Sequence, residues 1–394
     1  MVSKSGILAS TIALALLVVA LATACGAGEN PFGVKSELVT PAANVYAMEF
    51  APDGRLFFAE QFSGNVRILG TDGTVQEEPF VQIDTALWLF WGITGLALDP
   101  DFESNHYVYV FYTELVSSDP PPEGPIGKPV LVRYTDVDGI GEDPKVIDED
   151  FPDTPPSNPG LGGNGHIQFG PDGLLYVSIG DYDSREKPSQ DLAVPMGKIL
   201  RINSANGSAA PDNPFVDDPD ADPRIFAYGF RKSFDFVFHP ETGQLYGTDN
   251  TVGSCEELNL IEKGGNYGWA DVGEFPFADC QAGDQVDAIH FFTTEGKSPG
   301  DFLSIVNVTG LAFVSGDLYP LLGDSLLACE FETKLMRRLL LTGSDFDQVA
   351  ADEEGVDNIV VEDCDRDIAT SPDGTVYYSN ETEIRRLVPQ DTGE

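Results

Sequence analysis

Basic residues are scarce in this chain. Of 394 residues, only 22 are lysine or arginine, against 65 aspartates and glutamates, which gives a formal net charge of -43. A field of that sign repels DNA, RNA and anionic membrane surfaces, which argues against nucleic-acid binding. A disordered acidic chain is another interpretation, but 10% aromatic residues and repeated apolar strands argue against it. We interpret the charge as a solvated acidic surface suited to salty surroundings.

Cysteine and histidine are also rare, with five and four copies. The cysteine spacings match no zinc-binding pattern, and the sequence contains no Cys-x-x-Cys redox motif. Cys25 stands alone near the N-terminus, which leaves an even number of cysteines in the rest of the chain. Three pairings are possible, and sequence order favours disulfides between Cys255 and Cys280 and between Cys329 and Cys364.

The first 24 residues have the pattern of a signal peptide. Lys4 is followed by an apolar run from Ile7 to Leu21 and then by small residues before Cys25. The run is too short for an ordinary membrane span. The segment resembles a bacterial lipobox, so cleavage before Cys25 and lipidation of its thiol would tether an exported protein to the cell envelope. Secretion without a lipid is the alternative. We expect residues 25–40 to be a linker.

Proline and glycine mark repeated turns along the remaining chain. The strongest repeat is Pro-Asp-Gly followed by an apolar strand, at residues 52–54, 171–173 and 372–374. Weaker copies occupy residues 99–110, 239–246 and 312–328. Six strand-turn-strand units at intervals of roughly 50 to 75 residues are typical of a propeller rather than a sandwich. The sequence therefore predicts an all-β, six-bladed β-propeller over residues 41–394.

Several stretches, in one order along nearly all of that region, resemble the glucose/sorbosone dehydrogenase family. They are residues 51–69, 95–113, 166–181, 197–203, 227–231, 257–269 and 309–317, of which Asn-Leu-Ile-Glu-Lys-Gly-Gly-Asn-Tyr-Gly-Trp at 259–269 is the most specific. The resemblance implies a six-bladed propeller that uses pyrroloquinoline quinone (PQQ) and calcium to oxidise aldoses at the anomeric carbon to lactones.

The position of the family's catalytic base is changed in this sequence. The family's general base is a histidine just before the strand that begins here at His166, and alignment on the following turn places Gly162 at the base position. Glycine cannot accept a proton, and a general base commonly contributes roughly 10² to 10⁴ in rate. His166, on the order of 13 Å further along an extended chain, is either a replacement or a structural histidine. Phe90 stands where the family has a polar residue that contacts substrate and cofactor.

Three further family positions are retained, and a fourth is changed. By resemblance, Asp181 is the residue that orients the base, and Arg231 is the arginine that contacts the quinone. Lys232 replaces an asparagine and can pair with a carboxylate of PQQ. Arg366 matches one arginine of a pair near the C-terminus. These four residues are the candidate catalytic and cofactor-binding set.

The resemblance also implies calcium, which prefers oxygen ligands. A structural site would use the Glu257 carboxylate and the backbone carbonyl of Tyr267. A cofactor-linked site would use the backbone carbonyls of Thr251 and Val252. Together these features predict a PQQ-dependent aldose sugar dehydrogenase-like protein that takes a small-molecule aldose. The alternative is a catalytically inactive propeller lipoprotein that acts as a ligand-binding or scaffold protein.

Overall fold

The computed structural model describes residues 30–86, 91–118, 126–153, 165–182, 188–251, 255–269, 280, 285–294, 297–298, 305–350 and 358–390. The predicted signal peptide, Cys25, Phe90, Gly162 and Val252 lie outside these residues. Within the described ranges, no helix has the length and apolar character needed to cross a membrane.

Six four-stranded antiparallel sheets form the six blades of a β-propeller, which confirms the predicted fold class. Blades one to three comprise β2 (Val45–Phe50), β3 (Leu56–Glu60), β4 (Asn65–Leu69) and β5 (Val81–Gln82); β6 (Ile93–Leu98), β7 (Tyr107–Ser117), β8 (Ile126–Val137) and β9 (Ile140–Asp148); and β10 (Ile167–Phe169), β11 (Leu175–Ile179), β12 (Lys198–Ile202) and β13 (Ile225–Tyr228).

Blades four to six follow the same plan. They comprise β14 (Phe236–Phe238), β15 (Leu245–Asp249), β16 (Glu256–Ile261) and β17 (His290–Phe292); β18 (Val308–Val314), β19 (Ser325–Glu330), β20 (Leu335–Leu339) and β23 (Ile359–Glu362); and β24 (Ile368–Thr370), β25 (Val376–Ser379), β26 (Glu383–Pro389) and β1 (Val34–Pro41). The shorter elements are a hairpin of β21 (Leu341–Thr342) and β22 (Gln348–Val349), helix α1 (Phe102–Asn105) and a 3₁₀ turn (Pro188–Gln190).

The N-terminal strand closes the ring. Strand β1 pairs antiparallel with β26, from Val34 opposite Pro389 to Pro41 opposite Glu383, and forms the outer edge of the sixth blade. Both ends of the described chain are thereby tied into one sheet. The propeller begins at Val34 rather than at residue 41, so residues 34–40 belong to a strand and not to a linker.

The Pro-Asp-Gly turns occupy equivalent positions in three blades. Each turn joins the first strand of its blade to the second, in blades one, three and six. The glycines Gly54, Gly173 and Gly374 have φ of 88°, 75° and 86°, a region that other residues rarely adopt. In each turn the preceding aspartate accepts the backbone N–H two residues ahead. The repeated sequence therefore encodes a repeated hairpin.

Buried aspartates connect neighbouring blades near the propeller axis. Asp235, just before β14, accepts the backbone N–H of Leu311 in the fifth blade at 2.6 Å. Asp367, just before β24, accepts the N–H of Met48 in the first blade at the same distance. Since a buried backbone donor needs a partner, each carboxylate fixes the innermost strand of the next blade.

Both predicted disulfides are present, Cys255–Cys280 and Cys329–Cys364. They close loops with sequence separations of 25 and 35 residues. The first lies in the fourth blade. The second ties β19 in the fifth blade to the segment that enters the sixth, so it restrains a junction between blades.

Candidate functional site

The predicted site residues share one face of the propeller. The first strands of adjacent blades contact one another, so they line the axis. Because pairing is antiparallel, the first strand of each blade runs towards the Pro-Asp-Gly turns and the second runs back. Residues before first strands and after second strands thus collect at the opposite face, the candidate face: Asp181 after β11, Arg231 and Lys232 before β14, Thr251 after β15, and Arg366 before β24.

A buried carboxylate fixes the turn that carries Arg231 and Lys232. Asp249 accepts the backbone N–H of Arg231 at 2.9 Å and that of Lys232 at 2.6 Å. Arg231 also donates its Nη1 to the carbonyl of Asn250 at 2.8 Å. Burial raises the pKa of Asp249 to about 7 against the opposing effect of these donors and of the Arg231 charge. Asp249 therefore holds in place the backbone that carries the two cationic side chains.

Trp269 joins this turn to Asp181. Its indole Nε1 donates to Oδ2 of Asp181 at 2.6 Å, and the Arg231 guanidinium lies 5.8 Å from a Trp269 ring centroid. The backbone N–H of Asp181 donates to the Arg231 carbonyl at 2.9 Å. Gln190 in the 3₁₀ turn donates its Nε2 to the Trp269 carbonyl at 2.9 Å. The structure thus brings Asp181 and Arg231 into one group.

Arg366 is surrounded by a different set of partners. Its Nη1 donates to the carboxylate of Asp365 at 3.0 Å, and its Nη2 lies 3.4 Å from oxygens of Asn44 and Glu381. The guanidinium is 4.7 Å from the Phe331 ring centroid. Arg366 shares the candidate face with Arg231, but its charge is already partly neutralised by local acids.

Three of the four predicted calcium ligands, which the sequence assigned to two sites, line one small cavity, and the fourth, Val252, lies outside the described residues. Asp249, Thr251, Glu257 and Tyr267 line it together with the Cys255–Cys280 disulfide, and its open volume of about 10 Å³ suits one water-sized particle. Burial, and then the charge of Asp249, raise the pKa of Glu257 well above its usual value. A bound cation would lower the pKa of Glu257 again, because it would stabilise the ionised carboxylates.

Side chains alone do not complete a metal shell here. Among the described residues, no three histidine, cysteine, aspartate or glutamate side chains lie close enough together to hold a metal ion. Calcium takes six to eight oxygens and readily uses backbone carbonyls and water. A calcium ion in this cavity would therefore depend on the Tyr267 carbonyl and on solvent as well as on Glu257.

His166 lies at the propeller axis. Its Nε2 is 3.0 Å from Oδ1 of Asp235, and its ring meets the edge of Phe236 at a centroid distance of 4.7 Å. Burial lowers the pKa of His166 to about 3. In the described part of the chain, the residue contacts neither Asp181 nor Arg231. These contacts agree with a structural histidine.

We expect calcium to raise the melting temperature of the protein and Glu257→Gln to remove most of that rise. The substitution keeps the side-chain shape but removes one of two carboxylate charges at the cavity, so the bound ion loses attraction. Without calcium the variant should be at least as stable as the unmodified protein above neutral pH, because the raised pKa means that ionised Glu257 destabilises the fold. Melting temperatures with and without calcium check this.

Glu262→Gln is the matched control, since Glu262 is exposed. Equal calcium-induced shifts in the two variants would show that Glu257 is not a ligand.

A family model for glucose/sorbosone dehydrogenases matches residues 42–388. The chain belongs to this family. The aldose sugar dehydrogenase YliI of Escherichia coli is 25% identical over 300 residues, which are 73% of either chain. A solved structure from Thermus thermophilus, described as a glucose dehydrogenase, is 28% identical and has a TM-score of 0.73. The match covers 90% of this chain and 100% of the Thermus chain. The PQQ-bound aldose sugar dehydrogenase of Streptomyces coelicolor shares the fold at 20% identity, with a TM-score of 0.69 and coverage of 90% and 98%.

Sequence reasoning missed two residues of this site. Asp249 holds the Arg231 turn although it lies 18 positions later in the sequence, and Trp269 bonds to Asp181 although 88 positions separate them. Trp269 ends the specific family stretch at 259–269, but no role in the site was predicted for it from the sequence. Nothing in the sequence signals either contact, because each depends on how separate loops meet at the candidate face.

Proposed function

We propose that this family member is a PQQ-dependent aldose dehydrogenase whose cofactor binds at the candidate face, and that it oxidises the anomeric carbon of aldoses to lactones. The observation that carries the proposal is the Asp249-fixed turn, which presents Arg231 and Lys232 beside Asp181 and Trp269. The E. coli and Streptomyces relatives, an aldose sugar dehydrogenase and a PQQ-bound one, support the choice of substrate class and cofactor.

The residues of the candidate face suit PQQ in charge. PQQ carries carboxylates and an ortho-quinone, and when bound it supplies the acceptor for a hydride from the sugar. Arg231 offers a planar guanidinium suited to carboxylate or carbonyl oxygens, and Lys232 adds a second positive charge. Trp269 provides a flat apolar surface beside them. Calcium at the Glu257 cavity would stabilise the neighbouring Asp249 and thereby the Arg231 turn.

This site lacks the histidine with which the family removes the hydroxyl proton of the sugar. The family's base position is Gly162, which lies outside the described residues and has no side chain to accept the hydroxyl proton. Asp181 remains, and its Oδ2 is held by the Trp269 indole at 2.6 Å. We therefore propose slow turnover in the unmodified protein.

We further propose that the protein is exported and anchored through a lipid on Cys25, in line with the segment that precedes it. The acidic surface would then face a salty exterior.

Dye reduction with a panel of aldoses tests the proposed function. We expect slow reduction that requires PQQ and calcium and that disappears with methyl glycosides, which lack a free anomeric hydroxyl. PQQ binding without any aldose-dependent reduction would refute the enzyme and favour a ligand-binding propeller.

A further inference from the structure

A second cavity fills the centre of the propeller. It measures about 610 Å³ and is lined by first strands of all six blades. Its rim includes His239, Pro240, Ser315 and Gly374, which lie at or near the turns after first strands, so it opens at the face opposite Arg231. None of the described residues that line it belongs to the candidate catalytic and cofactor-binding set.

The walls of this channel are largely apolar and aromatic. Phe50, Phe238, Phe313 and Phe346 line it, together with Leu341. Phenylalanine faces attract cations as well as apolar groups, because the ring quadrupole is negative above the ring. A cavity of this size with a few polar groups is the usual form of a small-molecule site.

Among the buried and half-buried acids of the described channel lining, Glu49 is the one whose carboxylate has no hydrogen-bond partner. Asp235 and Asp367 already accept backbone N–H groups, and Asp235 also lies against His166. The side chain of Glu49 in β2 forms no hydrogen bond or ion pair with any described residue. It is half-buried and lines the cavity, so its remaining accessible surface opens on the channel.

The described lining of the channel brings no lysine or arginine charge to Glu49. No three ligating side chains cluster among the described residues, so a metal ion here would have to take most of its ligands from backbone and water and would make no use of the aromatic walls. An organic cation suits both the carboxylate and the aromatic walls.

We propose that the central channel is a second binding site, which takes a small organic ammonium ion with its charge on Glu49 and its apolar body against the phenylalanine walls. The site lies at the opposite face from the proposed dehydrogenase centre and does not depend on it.

Binding at Glu49 should be linked to proton release. Burial, and then the charges of Asp367 and Asp235, raise the pKa of Glu49 to about 8. The channel's other titratable groups are His166, Asp235, His239, Glu241, Asp324 and Asp367. At pH 7 Glu49 therefore holds its proton, and an incoming ammonium favours the ionised form. Affinity should rise with pH up to about 8 as the cost of removing that proton falls.

Calorimetric titration with benzylammonium tests the site, with neutral benzyl alcohol as the isostere at the same salt concentration. We expect saturable benzylammonium binding that is at least about tenfold tighter than that of benzyl alcohol, because hydrogen bonds to a charged group add that much affinity. Measurement at pH 7 in two buffers of different ionisation enthalpy should show release of about one proton.

Glu49→Gln should reduce benzylammonium affinity to that of benzyl alcohol and abolish proton release. Glu142→Gln, an exposed residue of the outer strand β9, is the matched control and should change neither. Equal affinity of the unmodified protein for the two probes, or no saturable binding, would overturn the proposal without any variant. Unchanged binding in folded Glu49→Gln would overturn it as well.

Discussion

Replacing Gly162 with histidine should raise the rate of aldose oxidation by at least about tenfold, since a positioned general base contributes roughly 10² to 10⁴. The substitution puts the family's base back at its place in the sequence, ahead of Asp181 and Arg231. The readout is kcat for dye reduction at saturating PQQ and calcium. The rate of the variant should also increase with pH through the range near 6.5 where imidazole loses its proton.

Gly163→His is the matched control for this gain. It adds the same side chain one position away, where the family has no base, and should leave the rate and its pH profile unchanged. Brisk aldose oxidation by the unmodified protein would contradict the account, since it would mean that another group already serves as the base. An unchanged rate in Gly162→His with PQQ bound would show that more of the site than the base has been lost.

Arg231→Gln should weaken PQQ binding by about 10- to 100-fold. The change removes a charge-assisted contact of roughly 1.5 to 3 kcal/mol while the backbone of the turn stays held by Asp249. Titration of the variant with PQQ, followed by the cofactor's absorbance, measures the loss. Its melting temperature without PQQ shows whether the fold is retained.

Arg55→Gln provides the control for charge alone. Arg55 lies at the other face of the propeller, because it follows the first Pro-Asp-Gly turn. There it pairs with Asp136 at 2.7 Å. The variant should bind PQQ as the unmodified protein does. Equal losses in the two variants would mean that only net charge matters, and no loss in Arg231→Gln would place the cofactor elsewhere.

The fold was predictable because its signals are local and repeated. A Pro-Asp-Gly turn fixes its hairpin through its own residues, and the glycine at Gly54, Gly173 or Gly374 provides the positive φ. The disulfides followed from the order of four cysteines. The start of the propeller was not predictable in this way, because β1 is a strand only by pairing with β26 at the other end of the chain.

The site was predictable in its residue types but not in its contacts. Resemblance identified Asp181, Arg231 and Glu257, and the structure brings them to one region. Whether Arg231 is held by Asp249, or Arg366 meets Asn44, depends on contacts between loops that no sequence pattern encodes. Glu49 was not foreseen for the same reason, since a lone acid in an apolar strand gives no sign that it faces a channel.

Titration of the purified protein with PQQ at a series of calcium concentrations tests the central claim most directly. The account predicts saturable, calcium-dependent binding of one PQQ per chain, seen in the cofactor's absorbance. Binding should be weakened by Arg231→Gln and preserved in Gly162→His. No PQQ binding at any calcium concentration would contradict the claim that this face is a quinone-cofactor site.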